Sequence, residues 1–234
     1  MEFTRTSTII AQKKAIIFDL FHTLTAPEIV SPLGLSTSQI LGIDAEVWNR
    51  QLTERSTDRL KGVEKNPYQI IQDLAHAINP EISKELIFKA TEHRIKRFDD
   101  ALKLIPQETV AVLSELKKSG KKLALLSNAD VIESKSWKQS PVATYFDCVI
   151  FSCDVGYVKP DREIYELCLN QLDVPPEDCA FVGDGGSNEL AGAKAVGITA
   201  ILITGIIMKL WPHKIAHFIS EADHIIQDIT ELTL

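Results

Sequence analysis

The chain has 234 residues, 45% of them hydrophobic and 24% charged, a balance that excludes disordered and fibrous classes and allows one large core or a core with an insertion. With 32 acidic against 25 basic side chains and a formal net charge of −7, no general attraction draws it to nucleic acid or to an anionic membrane surface. The longest mostly apolar run, 198–208, is interrupted by Thr and Gly and is about half of the roughly 20 residues a spanning helix needs, so neither a nucleic-acid nor a membrane partner is expected.

Residues 1–14, MEFTRTSTIIAQKK, lack the apolar stretch and small residues of a secretory signal. They read as a short disordered lead-in, and a cytoplasmic location is expected. Residues 14–19, KAIIFD, are an apolar run ending in an acid, which suits a strand buried on both faces of a parallel sheet with the acid at its carboxyl end. From 25 to about 104 such signals stop, and helix-like stretches at 45–60, 68–77 and 83–97 follow one another. They predict an all-helical insert between core segments 1–24 and 105–234.

Beyond the insert, Val110, Leu113 and Leu116 form one stripe over 107–118, a helix with Gly120 as its C-terminal cap. Runs ending in small or polar residues at 122–128, 148–152 and 179–184, and a further run at 198–204, read as strands, with another helix over 161–172. Strands alternating with helices imply right-handed crossovers, a parallel sheet and an α/β fold. Cys148, Cys153, Cys168 and Cys179 make no CxxC pair and read as small buried apolar residues. Because such sheets bind ligands at the carboxyl ends of their strands, Asp19, Ser127 with Asn128, the loop after Ser152, and Asp184 are expected in one site.

FDLFHTLT (18–25), LLSNAD (125–130), VKPDREIY (158–165) and VGDGGSNELAGA (182–193) resemble, in order, the four motifs of the haloacid dehalogenase-like hydrolases. Each alone is weak; four in order with strand context are specific. The resemblance implies a Rossmann-like parallel sheet with helices on both faces and a helical cap inserted after the first motif. It also implies Asp19 as a nucleophile that forms a covalent intermediate later opened by water. Thr23, Ser127 and Asn128 would hydrogen-bond the nucleophile or the anionic part of the substrate, and Lys159 would place a positive charge beside them. Mg²⁺ would be held by Asp19, Asp184 and the backbone carbonyl of Phe21, with Glu189 either an outer acid of the metal site or a first-turn helix charge.

Two features depart from the pattern. Phe21 stands where phosphatases of this superfamily carry a second Asp that protonates the leaving oxygen and activates water, whereas the dehalogenase branch has an aromatic residue there. Asp184 and the longer fourth motif, in contrast, match the phosphatase branch. His22 could supply the missing proton transfer or pack beside the loop. His22, Arg55 and Arg59 are candidate substrate-binding residues, although arginines interleaved with Glu54 and Asp58 also suit a solvated helix face. The expectation is a Mg²⁺-dependent phosphatase taking a small anionic metabolite, monomeric or homodimeric. The alternatives are a 2-haloacid dehalogenase-like hydrolase acting at carbon, or a binding module that has kept the fold.

Overall fold

A computed structural model describes residues 6–30 and 34–233. Six strands, β1 (Ala15–Phe18), β2 (Lys122–Ser127), β3 (Cys148–Phe151), β4 (Cys179–Gly183), β5 (Thr199–Ile203) and β6 (His224–Ile226), form one parallel sheet in the order β3-β2-β1-β4-β5-β6. Successive side chains of a strand point to opposite faces, and here both faces are covered. Ile16, Phe18, Leu123, Leu125 and Val182 enter one apolar cluster, while Ala15, Ile17, Ala124, Leu126 and Phe181 enter the other. That two-sided burial is why the strands read as unbroken apolar runs rather than alternating ones.

The first cluster is closed by α1 (Thr6–Gln12) and α8 (Gln107–Lys118), through Ile10, Val112, Leu113 and Leu116. The second is closed by α11 (Arg162–Leu172) and α12 (Glu189–Ala195), through Ile164, Tyr165, Cys168, Leu190 and Ala193. All four cysteines are free and buried. Gly120 follows α8 at φ 84 with its N–H donating to the Lys117 carbonyl at 3.0 Å, a left-handed conformation that glycine adopts without Cβ strain.

Between β1 and β2 the chain is helical: α2 (Pro27–Val30), α3 (Thr37–Leu41), α4 (Ala45–Glu54), α5 (Ser56–Leu60), α6 (Pro67–His76) and α7 (Lys84–Lys103). This insert has its own apolar cluster, including Ile40, Trp48, Ile71, Leu74, Ile87 and Phe98. Trp48 is therefore a core residue of the insert. Short helices α9 (Val131–Ser134) and α10 (Ser152–Val155) follow β2 and β3, and α13 (Gly205–Leu210) and α14 (Ile215–Ile219) lie between β5 and β6. Among the described residues no helix is long and apolar enough to cross a membrane.

Three features differ from the sequence expectation. Residues 6–12, expected to be disordered, form a helix because Ile10 is drawn into the core at 1% exposure; residues 1–5 of that lead-in lie outside the described ones. The helix expected over 45–60 breaks at Arg55 (φ −105, ψ 25). Strand β6 was not foreseen, because only Ile226 of its three residues is buried and a sheet edge needs no apolar run.

One glycine controls how closely α12 approaches α11 and the loop before it. A Cβ on Gly192 would lie 2.7 Å from the Tyr165 hydroxyl and 2.9 Å from Pro160 Cβ, distances that force neighbours aside. Gly192→Ala is expected to destabilise the protein by about 1–3 kcal/mol, read as a lower urea midpoint with unchanged slope.

Candidate active site

The sheet reverses its winding direction between β1 and β4: the chain runs outward from β1 to β2 and β3 on one side and from β4 to β5 and β6 on the other. Loops diverge at such a point and leave a crevice at the carboxyl ends of the strands. The ends of β1, β2 and β4 supply Asp19, Ser127 and Asp184, and all three line one cavity of about 240 Å³ with Asn128, Lys159 and Glu189.

Asp19 is 6% exposed and bonded through both oxygens. Lys159 Nζ donates to Oδ1 at 2.5 Å and the Thr23 hydroxyl to Oδ2 at 3.2 Å. The turn carrying Thr23 is closed by the His22 N–H on the Thr25 carbonyl (2.6 Å) and by the Leu24 and Thr25 N–H groups on the Leu20 carbonyl. These bonds leave the Phe21 carbonyl out, as a metal ligand requires.

Lys159 is 3% exposed, and its ammonium also donates to Glu189 Oε2 at 2.5 Å. Burial works against the ammonium, but the charges of Asp19 and then Glu189 outweigh it and hold the Lys159 pKa above its ordinary value. Asn128 fixes the Lys159 backbone from both sides, accepting from its N–H at 2.8 Å and donating to its carbonyl at 2.9 Å. The Asn128 side chain is thus bonded at both polar ends to the lysine's peptide groups rather than to Asp19. The Ser127 hydroxyl is buried without a hydrogen-bond partner among the described residues, and Ser127 lines the cavity.

The fourth motif folds into a left-handed run, with φ 88 at Gly185, 55 at Ser187 and 53 at Asn188. Positive φ at two non-glycine residues is the kind of strain that tightly specified loops hold. The turn aims two carboxylates: Asp184 Oδ1 accepts from the Gly186 N–H at 2.8 Å, and Glu189 Oε1 from the Gly185 N–H at 3.0 Å. Glu189 is thus bound at both oxygens, one on Lys159 and one on the turn. Asp19, Asp184 and Glu189 each offer an oxygen within 4.8 Å of the others. Burial first, then the charge of Asp19, push Asp184 up; burial, with Asp19 and Asp184, pushes Glu189 up against the pull of Lys159.

His22 lines the cavity at φ 66, with Nε2 3.2 Å from Glu28 Oε2, Nδ1 3.6 Å from Asp184 Oδ2 and its ring edge-on to Trp211. Burial opposes its charge, but the Glu28 hydrogen bond and the Asp184 charge raise its pKa above the ordinary value. Arg55 and Arg59 do not line this cavity; they border a separate one within the insert. Arg59 Nη1 instead donates to Asp130 Oδ2 at 2.6 Å and lies 3.5 Å from Glu133 Oε1. Arg94 Nη2 donates to the same Glu133 oxygen at 2.6 Å, which completes a buried four-residue charge cluster between insert and core. Asp130 and Glu133 were legible only as a helix capping box. Phe98 and Glu28, also on the cavity wall, carried no signal.

A family model described as haloacid dehalogenase-like hydrolase matches residues 13–197. The chain belongs to the haloacid dehalogenase-like hydrolases. Among curated relatives of this hydrolase family, the chain is 32% identical over 97 residues to a phosphoserine phosphatase of Thermus thermophilus and 28% identical over 129 residues to a glyceraldehyde 3-phosphate phosphatase of Methanothermobacter thermautotrophicus. Those matches cover 41% and 54% of this chain and span 39% and 52% of the relatives' own length. Among solved structures, a haloacid dehalogenase-like phosphatase from Thermococcus onnurineus aligns with TM-score 0.59 at 24% identity, covering 94% of this chain and 95% of that one. The L-2-haloacid dehalogenase of Xanthobacter autotrophicus aligns with TM-score 0.63 at 18% identity, covering 94% and 97%; at these identities the fold is what is shared.

Removing the ammonium leaves Asp19 and Glu189 buried without their common partner. Lys159→Met is expected to cost about 3–5 kcal/mol of stability, the penalty for uncovering a buried charge, measured by urea unfolding without divalent cations.

Proposed function

We propose that this chain is a Mg²⁺-dependent phosphatase acting on a small phosphorylated metabolite through a covalent intermediate on Asp19. The observation that carries the reading is an excess of buried negative charge: three carboxylates converge within 4.8 Å, and the ammonium bonded to two of them is that of Lys159. A hard divalent cation fits this donor set of carboxylate oxygens and the free Phe21 carbonyl. When bound, Mg²⁺ neutralises phosphate oxygens and orients the phosphoryl group.

The chain's own residues supply the rest. Lys159 and Thr23 keep the Asp19 carboxylate oriented, so that one of its oxygens attacks phosphorus as the bond to the leaving oxygen breaks and that oxygen departs with the electron pair. The unpartnered Ser127 hydroxyl suits a phosphoryl oxygen. Water then attacks the phosphoryl group on Asp19, releasing phosphate and restoring the carboxylate. In this reading 25–104 is a cap over a core made of 1–24 and 105–234, and the presence of Phe98 of α7 on the cavity wall supports that role.

Phe21 favours a second reading, displacement of halide from carbon, because halide leaves without a proton. The buried acid cluster weighs against it, since that chemistry has no use for a divalent cation. Halide release from 2-chloropropionate with and without Mg²⁺ separates the two.

Calorimetry is expected to detect Mg²⁺ binding to the wild type and none to Asp184→Ala; absence of binding by the wild type overturns the phosphatase reading. Because Phe21 can neither protonate the leaving oxygen nor activate water, roughly a hundred- to ten-thousandfold assistance is missing. With p-nitrophenyl phosphate, whose leaving group needs no proton, rapid mixing should show a burst of about one equivalent of nitrophenolate before a slow steady state. Alkyl phosphates should turn over slowly without a burst.

A further inference from the structure

The lining of the cavity draws on both the insert and the segments flanking it. Phe21 from the β1 loop and Phe98 from α7 meet edge to face, with ring centroids 5.1 Å apart, and Pro27 lines the cavity beside them. Arg94, one turn before Phe98 on the same helix, lays its guanidinium 4.7 Å over the Phe98 ring and donates to Glu133 at 2.6 Å. Its charge is therefore matched, as is that of Arg59 on Asp130: two guanidiniums face two carboxylates. The remaining charges on that side are Glu28 and His22, paired at 3.2 Å, with Arg97 acting on Glu28 from outside the cavity lining. Among the described lining residues, the cations are Lys159, shared by two carboxylates, and His22, set between Glu28 and Asp184.

A leaving group entering this space meets two aromatic side chains and the carboxylates of Glu28 and Glu133. A second anionic group would lose its water without gaining a partner, and an unpaired buried charge is costly. Resting on the phosphatase reading above, we propose that Phe21 and Phe98, flanked by Glu28 and Glu133, form a specificity wall that admits phosphomonoesters with an uncharged, apolar leaving group and rejects those carrying a second anion. Phe21 thereby has a positive role: it seats the insert's aromatic residue and shapes the wall.

The test uses non-hydrolysable probes, so it does not depend on turnover. Calorimetry with Mg²⁺ present compares phenylphosphonate, 4-carboxyphenylphosphonate and inorganic phosphate on the full chain. Phenylphosphonate is expected to bind at least about tenfold more tightly than its carboxylated analogue, the modest end of an unpaired charge penalty. In Phe98→Ala that preference should shrink to within about threefold as the wall opens to water. Equal binding of the two phosphonates by the wild type, tighter binding of the carboxylated one, or binding of inorganic phosphate alone overturns the wall while leaving the phosphatase reading standing. Failure of inorganic phosphate to bind removes the phosphatase reading and the wall with it. The wild-type comparison decides the matter even where Phe98→Ala does not fold.

Discussion

The site depends on one buried ammonium. Three carboxylates brought together in a low-dielectric cavity repel one another, and Lys159, bonded to Asp19 and Glu189 at 2.5 Å each, is what lets two of them share the space. Its surroundings hold it in place. Asn128 grips its peptide groups from the end of β2, and the Tyr165 hydroxyl donates to the Glu189 carbonyl at 2.8 Å from the helix that follows the lysine. Gly192 lets α12 close against Tyr165 and Pro160. Segments following β1, β2 and β4 are thereby tied to one residue in the loop that follows β3.

The same arrangement explains the uneven fate of the motif residues. Residues at or beside strand ends, Asp19, Ser127 and Asp184, are aimed by backbone that the sheet fixes, and Glu189 is held by the turn after β4. Asn128 is held too, but its amide is drawn to the peptide groups of Lys159 instead of the nucleophile. It positions the lysine.

Contact between insert and core is specified by charge and by aromatic edges. Arg59 and Arg94 reach from the insert to Asp130 and Glu133, which cap the short helix after Ser127 and Asn128. Buried ion pairs add little net stability because desolvation offsets their attraction, yet they penalise any docking that leaves a charge uncovered. Phe98 on Phe21 adds a second fixed point one helical turn away. Together the two contacts set where the insert stands relative to Asp19. This follows from side chains the sequence motifs do not mark.

The sequence by itself determined the parallel α/β core, the helical stretch between β1 and β2, and the meeting of Asp19, Ser127, Asn128, the loop after Ser152, and Asp184, because two-sided burial writes strands as apolar runs and ligand sites form at strand ends; Lys159 and Glu189 were marked by the motif resemblance. It did not contain the α1 helix, whose single deeply buried residue, Ile10, makes no readable period. Nor did it contain β6, an edge strand with one buried residue. Arg59 read as a substrate-binding candidate or as part of a solvated helix face, since spacing along a helix reports a face and not what that face meets. Only tertiary packing joined Arg59 and Arg94 to Asp130 and Glu133, separated by 71 and 39 positions in the chain, and set Phe98 on Phe21. Those pairings are long-range, made by single side chains without a repeating pattern, and so leave no local trace in the sequence.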